Sequence, residues 1–428
     1  MARNANINVH HMTRVEGHGD IVVEIREGKL ERIRFAVVEA PRFFEAFLRG
    51  QGFDEVTHTA SRICGICAVS HKCAALKATE AALGVEVSDQ TQLLRRLAFH
   101  GEIISSHILH IYFLAAPDFL GIPSAFPLIE SNRELVLQAM RLKKLGYDLS
   151  AMVGGRHTHP VAMQVGGFSF VHAEDALTAM KDRLLRAIED IKETVRFFKS
   201  IELPKLEQET DYVSLKHPDH YAFYDGDIFS SKDETVPVIR YRDVIEEHVV
   251  PYSTAKHASW KGSRYMVGAL ARFNNNSNRL MPLAKEAARD LGLDVPCFNP
   301  FMNTIAQIVE CAHCVEDGIE IIEQILSSGI KADAERAQVK VRSGVGVGAV
   351  EAPRGILFHE YEYDQAGKCL TANHVIPTAQ NLANLEADMR VFAPRFIDAE
   401  EKEIAYQLEM LARAYDPCIS CSTHVVRL

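Results

Sequence analysis

The chain has no long lysine or arginine run, no clean apolar span and no charged-then-apolar leader at its start. Each absence removes a class of function. Its 47 basic side chains are outnumbered by 57 acidic ones, a formal net charge of −10. A general nucleic-acid binder is excluded, because phosphate neutralisation needs a concentrated basic face. The most apolar stretch, Ile108 to Ile129, is broken by His110, Pro117, Asp118 and Pro123, so it cannot supply the roughly 20 apolar residues of a membrane span. Met1-Ala-Arg-Asn-Ala-Asn is not a secretory signal. Nine cysteines are too few for a disulfide scaffold, and an odd number suits ligand use in a reducing compartment. No internal repeat, low-complexity segment or convincing linker is found.

What is present is an ordinary globular balance, 47% hydrophobic and 24% charged, over 428 residues. That length exceeds the roughly 250–300 residues of a single simple core. Ile21, Val23 and Ile25 alternate, Glu27-Gly28 offers a turn, and Ile33, Phe35 and Val37 alternate again, which predicts a hairpin. Four stripes at helical spacing follow: Leu93 to Ile111, Leu177 to Phe198, Ile305 to Ile322, and Ile404 to Leu411. Residues Gly355 to Ile376 predict a second hairpin turning near Asp364 to Gly367. The pattern lacks the strand–helix alternation of a doubly wound sheet. The expected fold is α+β and mainly helical: a central long-helix bundle with small peripheral β-sheets or hairpins, in one unit spanning 1–428. Within it we expect an N-terminal hairpin region (about 1–60), a helical core (about 61–200 and 262–330), an irregular cover (about 202–256), and a C-terminal hairpin with a ligand-bearing tail (about 340–428).

Two cysteine pairs stand near opposite ends, in Arg62-Ile-Cys64-Gly-Ile-Cys67-Ala-Val-Ser-His71 and in Asp416-Pro417-Cys418-Ile-Ser-Cys421-Ser-Thr-His424. A two-residue spacing lets both sulfurs reach one metal, helped here by Gly65 and Pro417. Four thiolates favour zinc, iron, nickel or copper. The plain alternative is a structural zinc tetrathiolate in a non-catalytic scaffold, although such sites usually staple small domains. Cys311 and Cys314 share the spacing but sit inside a helical stripe, and with Cys73, Cys297 and Cys369 they are read as core packing. Gly344, Gly346 and Gly348 lack the spacing and the lysine of a phosphate loop. We read them as a flexible turn that delivers Arg354.

In order along the chain, Arg14-Val-Glu16-Gly17-His18, Arg42-Phe-Phe-Glu45, the first cysteine motif, Glu351-Ala-Pro353-Arg354-Gly355 and the second cysteine motif resemble the large subunit of the nickel–iron hydrogenases from end to end. Ser106-His107-Ile-Leu-His110-Ile-Tyr112 and His159-Pro160 are similar to family segments as well. The resemblance implies reversible oxidation of dihydrogen. It places Cys64 and Cys418 terminally on nickel, with Cys67 and Cys421 bridging to an iron that carries one carbon monoxide and two cyanides. Arg354 would lie over the open face, beside Asp416 and Pro353. Thr378 would hydrogen-bond a cyanide, and His71 would stand behind the cysteine sulfurs. Glu16 would be the first proton relay, with a raised pKa if buried. Glu45, His424 and the carbonyl of His374 would bind magnesium (or iron).

Iron–sulfur cysteines beyond these four and nucleotide signatures are lacking, so the resemblance implies partners: an obligate iron–sulfur small subunit, further iron–sulfur subunits, and flavin- or NAD(P)-binding subunits. It also implies an endopeptidase that trims the chain after His424, removing Val425 to Leu428. The short tail resembles that of soluble NAD(P)-coupled sulfhydrogenase-type members, which points to the cytoplasm. Arginine is an uncommon base, which leaves Arg354 and the Cys421 thiolate as competing proton acceptors. A quinone-reductase-type relative would lack the four cysteines.

Overall fold

The apolar stripes become the longest helices. In the computed structural model, which describes residues 3–232, 234–331 and 336–423, seven helices frame the molecule. They are α1 (Ala68–Leu83), α2 (Asp89–Leu109), α3 (Arg133–Gly154), α4 (Glu174–Lys199), α5 (Asn303–Ser328), α6 (Pro377–Phe392) and α7 (Glu401–Ala414). Helix α2 packs on both α3 and α5, and α5 on α4. Ser88 starts α2 by accepting the Thr91 amide at 3.2 Å. Beyond its last turn α2 widens into a π-turn over His110–Ala115, a departure often found at functional sites. No helix among the described residues is long and apolar enough to cross a membrane.

Among the described residues, three sheets of three or four strands surround the bundle, besides two small two-stranded ones. The first, β1 (Ala5–Val9), β2 (Gly19–Arg26) and β3 (Lys29–Val37), is antiparallel in that order. Glu27 and Gly28 both take positive φ, the geometry that a two-residue hairpin turn needs. The second contains β4 (Asp211–Lys216), β5 (Asp227–Ser230), β6 (Glu234–Val236) and β7 (Tyr265–Met266) in the order β7-β4-β5-β6. The third is the antiparallel β8 (Gly344–Ala352), β9 (Gly355–Tyr363) and β10 (Cys369–Val375). The mainly helical α+β class therefore holds, but this last sheet is buried against α1 rather than peripheral.

The glycine run is not a flexible turn. Gly344, Gly346 and Gly348 occupy one face of strand β8, where an added Cβ would come under 3.0 Å from the carbonyl oxygens of Ala82, Ala78 and Ala74 of α1. Glycine is required there because strand and helix backbones touch. The turn is only two residues long, Pro353 and Arg354, between β8 and β9. As the strand advances it passes helix positions in descending order, so the hairpin tip is carried toward the start of α1, where Cys67 is the N-cap.

Candidate metal centre

Cys64 and Cys67 lie between a short turn, Ser61–Ile63, and α1, while Cys418 and Cys421 follow α7. All four are buried, and their Sγ atoms lie within 4.8 Å of one another. The cross-pair separations are 3.5 Å for Cys64–Cys418 and 3.8 Å for Cys67–Cys421. The backbone N–H groups of Ile66 and Cys67 donate to Cys64 Sγ at 3.3 and 3.2 Å. Burial pushes the Cys421 thiol up to about 11, and hydrogen bonding with Cys421 raises Cys418. Cys64 moves the other way, lowered by hydrogen bonding with Cys418, so the four thiols do not ionise alike. A soft or borderline cation is what allows four crowded thiolates to ionise together, so the donor set fits nickel, iron or zinc.

Arg354 closes the site from the hairpin tip. Its Nε donates to the Asp416 carbonyl at 2.8 Å, one terminal nitrogen to Asp416 Oδ1 at 2.9 Å and the other to Ser106 Oγ at 3.1 Å. Burial works against its charge, but Asp416 and the cysteine sulfurs outweigh burial and hold the pKa above the ordinary arginine range. This environment disfavours Arg354 as a base and favours it as a fixed cation. Asp416 sits at φ 50°, strain of the kind concentrated at functional sites. Gln307 fixes its other oxygen at 2.9 Å.

The N-terminal motif wraps the second cysteine pair. The Ile419 amide donates to the Glu16 carbonyl at 2.9 Å, and the Ser420 amide and hydroxyl both donate to the Glu16 carboxylate. Glu16 is half-buried rather than sealed. Arg42 joins the two motifs by donating to the carbonyls of Ile63 and Ser420. Asp118 ties Arg14 to Arg413, three residues before Asp416. Pro353 offers its carbonyl to Arg272 at 3.0 Å, and Thr378 Oγ1 accepts the Cys418 amide at 2.9 Å.

His71, one turn into α1, faces His359 Nε2 through Nδ1 at 3.0 Å. Burial pushes it down to about 3, so the ring is neutral at pH 7. Glu45 accepts the His374 amide at 2.9 Å, and both line a small cavity with Arg42, Cys421 and Thr423. His424 lies outside the described residues. Cys311 and Cys314 are buried inside α5, away from the quartet.

Several supporting residues carry no motif of their own. Ser106 stands in a family-like segment, but nothing local marks it as a partner of Arg354. Glu102 accepts the Val69 and Ser70 amides at 2.6 and 3.1 Å, holding the start of α1. Arg272 is wholly buried and grips the hairpin tip: it donates to the carbonyls of Ala352 and Pro353, to Glu351 at 3.0 Å, and to both oxygens of Glu310 at 2.6 and 2.7 Å. His107 meets Glu310 at 2.7 Å. Burial alone would raise the Glu310 carboxyl, but Arg272 and His107 outweigh it and hold it at about 2.

A carboxyl depressed in the fold stabilises above its unfolded pKa of roughly 4.3 and loses that contribution as pH falls through the folded value. Glu310→Gln, which strands a buried guanidinium, should therefore cost about 3–5 kcal/mol at pH 7. The difference in thermal midpoint from the native chain should shrink below the unfolded pKa and close near pH 2. A pH-independent difference would exclude this ion pair as its source.

The sequence model of the nickel-dependent hydrogenase family matches residues 42–128 and 202–424. The alpha subunit of sulfhydrogenase 1 from Pyrococcus furiosus is 35% identical over 99% of this chain and 98% of its own. One polypeptide of the vhu F420-non-reducing hydrogenase of Methanocaldococcus jannaschii is 33% identical over 89% of this chain and 96% of its own length. Among solved structures, an NAD+-reducing [NiFe]-hydrogenase in its H2-reduced state superposes with a TM-score of 0.87 at 27% identity, covering 99% of this chain and 100% of that one. Shared along its length with these proteins, the chain belongs to the nickel-dependent hydrogenases, as a catalytic large subunit.

Proposed function

We propose that Cys64, Cys67, Cys418 and Cys421 hold nickel, with Cys67 and Cys421 shared with an iron bearing one carbon monoxide and two cyanides. The observation that carries this reading is the meeting of two distant cysteine pairs beneath one buried arginine–aspartate pair. When bound, the metals would supply heterolytic cleavage of dihydrogen. The chain's own part is then electrostatic and protonic. Arg354, kept charged, presents directed N–H groups over the sulfurs, and Asp416 and Pro353 fix its aim. Thr378 is free to donate its hydroxyl proton while accepting from Cys418. His71, kept neutral, orients rather than carries protons. Glu16 receives the proton at its carboxylate, where Ser420 holds it close to the second cysteine pair.

The reading extends to partners. A chain without further cysteine clusters must pass electrons to an iron–sulfur small subunit through a close, permanent interface. Likeness to a sulfhydrogenase and to an NAD+-reducing enzyme supports NAD(P) as the final acceptor, through flavin-binding and further iron–sulfur subunits in the cytoplasm. Glu45, the His374 carbonyl and His424 form the proposed magnesium (or iron) site, and an endopeptidase would cut after His424.

Infrared spectroscopy of the anaerobically purified complex tests the centre. One carbonyl band and two cyanide bands, shifting under dihydrogen, are expected. A trimmed chain without such bands would return the cysteines to zinc. Glu16→Gln should largely abolish turnover at full nickel content, because an amide cannot cycle a proton. Native dihydrogen oxidation in that variant would remove Glu16 from the relay.

A further inference from the structure

Among the described residues, two groups of three or more histidine, cysteine or carboxylate side chains bring their donor atoms within 4.8 Å of one another: the cysteine quartet, and His217, His220 and Asp225. We propose that this second group is a binding site for a divalent, imidazole-preferring transition cation such as zinc, separate from the hydrogenase centre.

The three residues sit on the loop between β4 and β5, which closes at the Lys216–Asp227 pair. The middle of the loop is anchored in the core. Tyr221 to Tyr224 are buried, the Tyr221 hydroxyl donates to Glu310 at 2.7 Å, and the Phe223 carbonyl accepts the Glu351 amide at 2.7 Å. His217 and His220 precede this anchor and Asp225 follows it, so the donors converge on the partly exposed outer side. The imidazoles stack at 3.8 Å between centroids and 22° between planes, and His220 Nε2 meets Asp225 Oδ1 at 2.7 Å.

An ion pair with Asp225 needs one histidine. The second, stacked on the first, adds mutual repulsion if both are protonated. Because an imidazole binds a cation in its own ring plane, His217 becomes a ligand once its ring turns out of the stack. Two imidazoles and one carboxylate are a common donor set for zinc, with bonds of about 2.0–2.2 Å and an open position for water. Opening the His220–Asp225 contact by roughly half an ångström would admit the ion and release their shared proton. The Asp219 amide, which donates to His217 Nδ1 at 3.1 Å, is the other contact that binding through that nitrogen would displace. Lys77 and Arg96 act electrostatically on the site. The Lys77 ammonium, however, is turned to the carbonyls of Tyr224 and Ala349, and Asp219 offsets part of the charge. Magnesium and calcium, which prefer oxygen ligands, are disfavoured.

The test is zinc titration of the nickel-loaded complex, native against His217→Asn and Asp225→Asn. Each variant should bind one zinc equivalent fewer, with nickel content and dihydrogen oxidation unchanged. Added zinc should raise the native thermal midpoint by roughly 2–4 °C and leave the variants unmoved. Zinc-edge X-ray absorption should report nitrogen and oxygen neighbours only. Equal zinc binding by all three proteins, or sulfur neighbours at about 2.3 Å, would overturn the proposal. Because nickel and activity are read in the same samples, its failure is distinct from failure of the hydrogenase reading.

Discussion

Cys418→Ser is expected to leave the chain folded and without nickel, with dihydrogen oxidation at background. A serine hydroxyl does not ionise near neutral pH, so the quartet loses a quarter of its thiolate charge and a soft donor 3.5 Å from Cys64 and 2.7 Å from Cys421. Binding at such a centre is proton-coupled and cooperative among its ligands, and three thiolates with one neutral oxygen no longer match the ion. Cys311→Ser is the control. It has the same residue type and the same two-residue spacing within its pair, but it lies in the apolar packing of α5. It should keep nickel in full and cost stability alone. Metal analysis with a dye-reduction assay reads both. Native nickel content in Cys418→Ser would show that the quartet is not the nickel site, and loss of nickel in Cys311→Ser would show that general misfolding, not ligation, is being measured.

Arg354→Lys should lower turnover about 100- to 1,000-fold, the usual effect of removing one preorganised donor from a reacting centre, with nickel retained. The arginine makes three bonds in different directions, to the Asp416 carbonyl, Asp416 Oδ1 and Ser106 Oγ. A lysine ammonium is a point charge on a flexible stem and cannot hold the same fork. Charge is conserved in this substitution and direction is lost, so the fall in rate measures direction. A Ser106→Ala variant, losing one of the three bonds, should fall between the two. Turnover in Arg354→Lys equal to native, at equal nickel, would confine the guanidinium to a structural role.

Much of this was legible because motifs and periodicity are local properties. The stripe from Leu177 to Phe198 lies within helix α4, and Glu27-Gly28 turns where the alternation breaks. Helix α3 is hidden in the sequence because its buried face mixes Leu135, Leu142 and Leu149 with Ala139, Gly146 and Ser150. These small residues let α2 approach, and they blunt the apolar period. Strand β8 differs from the turn expected there for a related reason. A glycine's neighbour, not the glycine, decides whether it marks a bend or a close contact. The residues proposed for the centre were named from motifs, whereas Arg272, Gln307 and Glu102 stand in no motif. They act through partners distant in sequence, as Arg272 does through Glu310 and Glu351.

The glycine–alanine seam between β8 and α1 has a metrical consequence. Two residues of strand advance about 6.6 Å and four residues of helix about 6.0 Å, so the two repeats run nearly in step along Gly344, Gly346 and Gly348 against Ala82, Ala78 and Ala74. Sliding one against the other is therefore an all-or-none jump of a whole tooth, with no intermediate setting. One edge of this rack ends at Arg354 and the other begins at Cys67. The spacing between guanidinium and sulfur is thus gauged by backbone contact along its flank, and thermal vibration of long side chains contributes little to its tolerance.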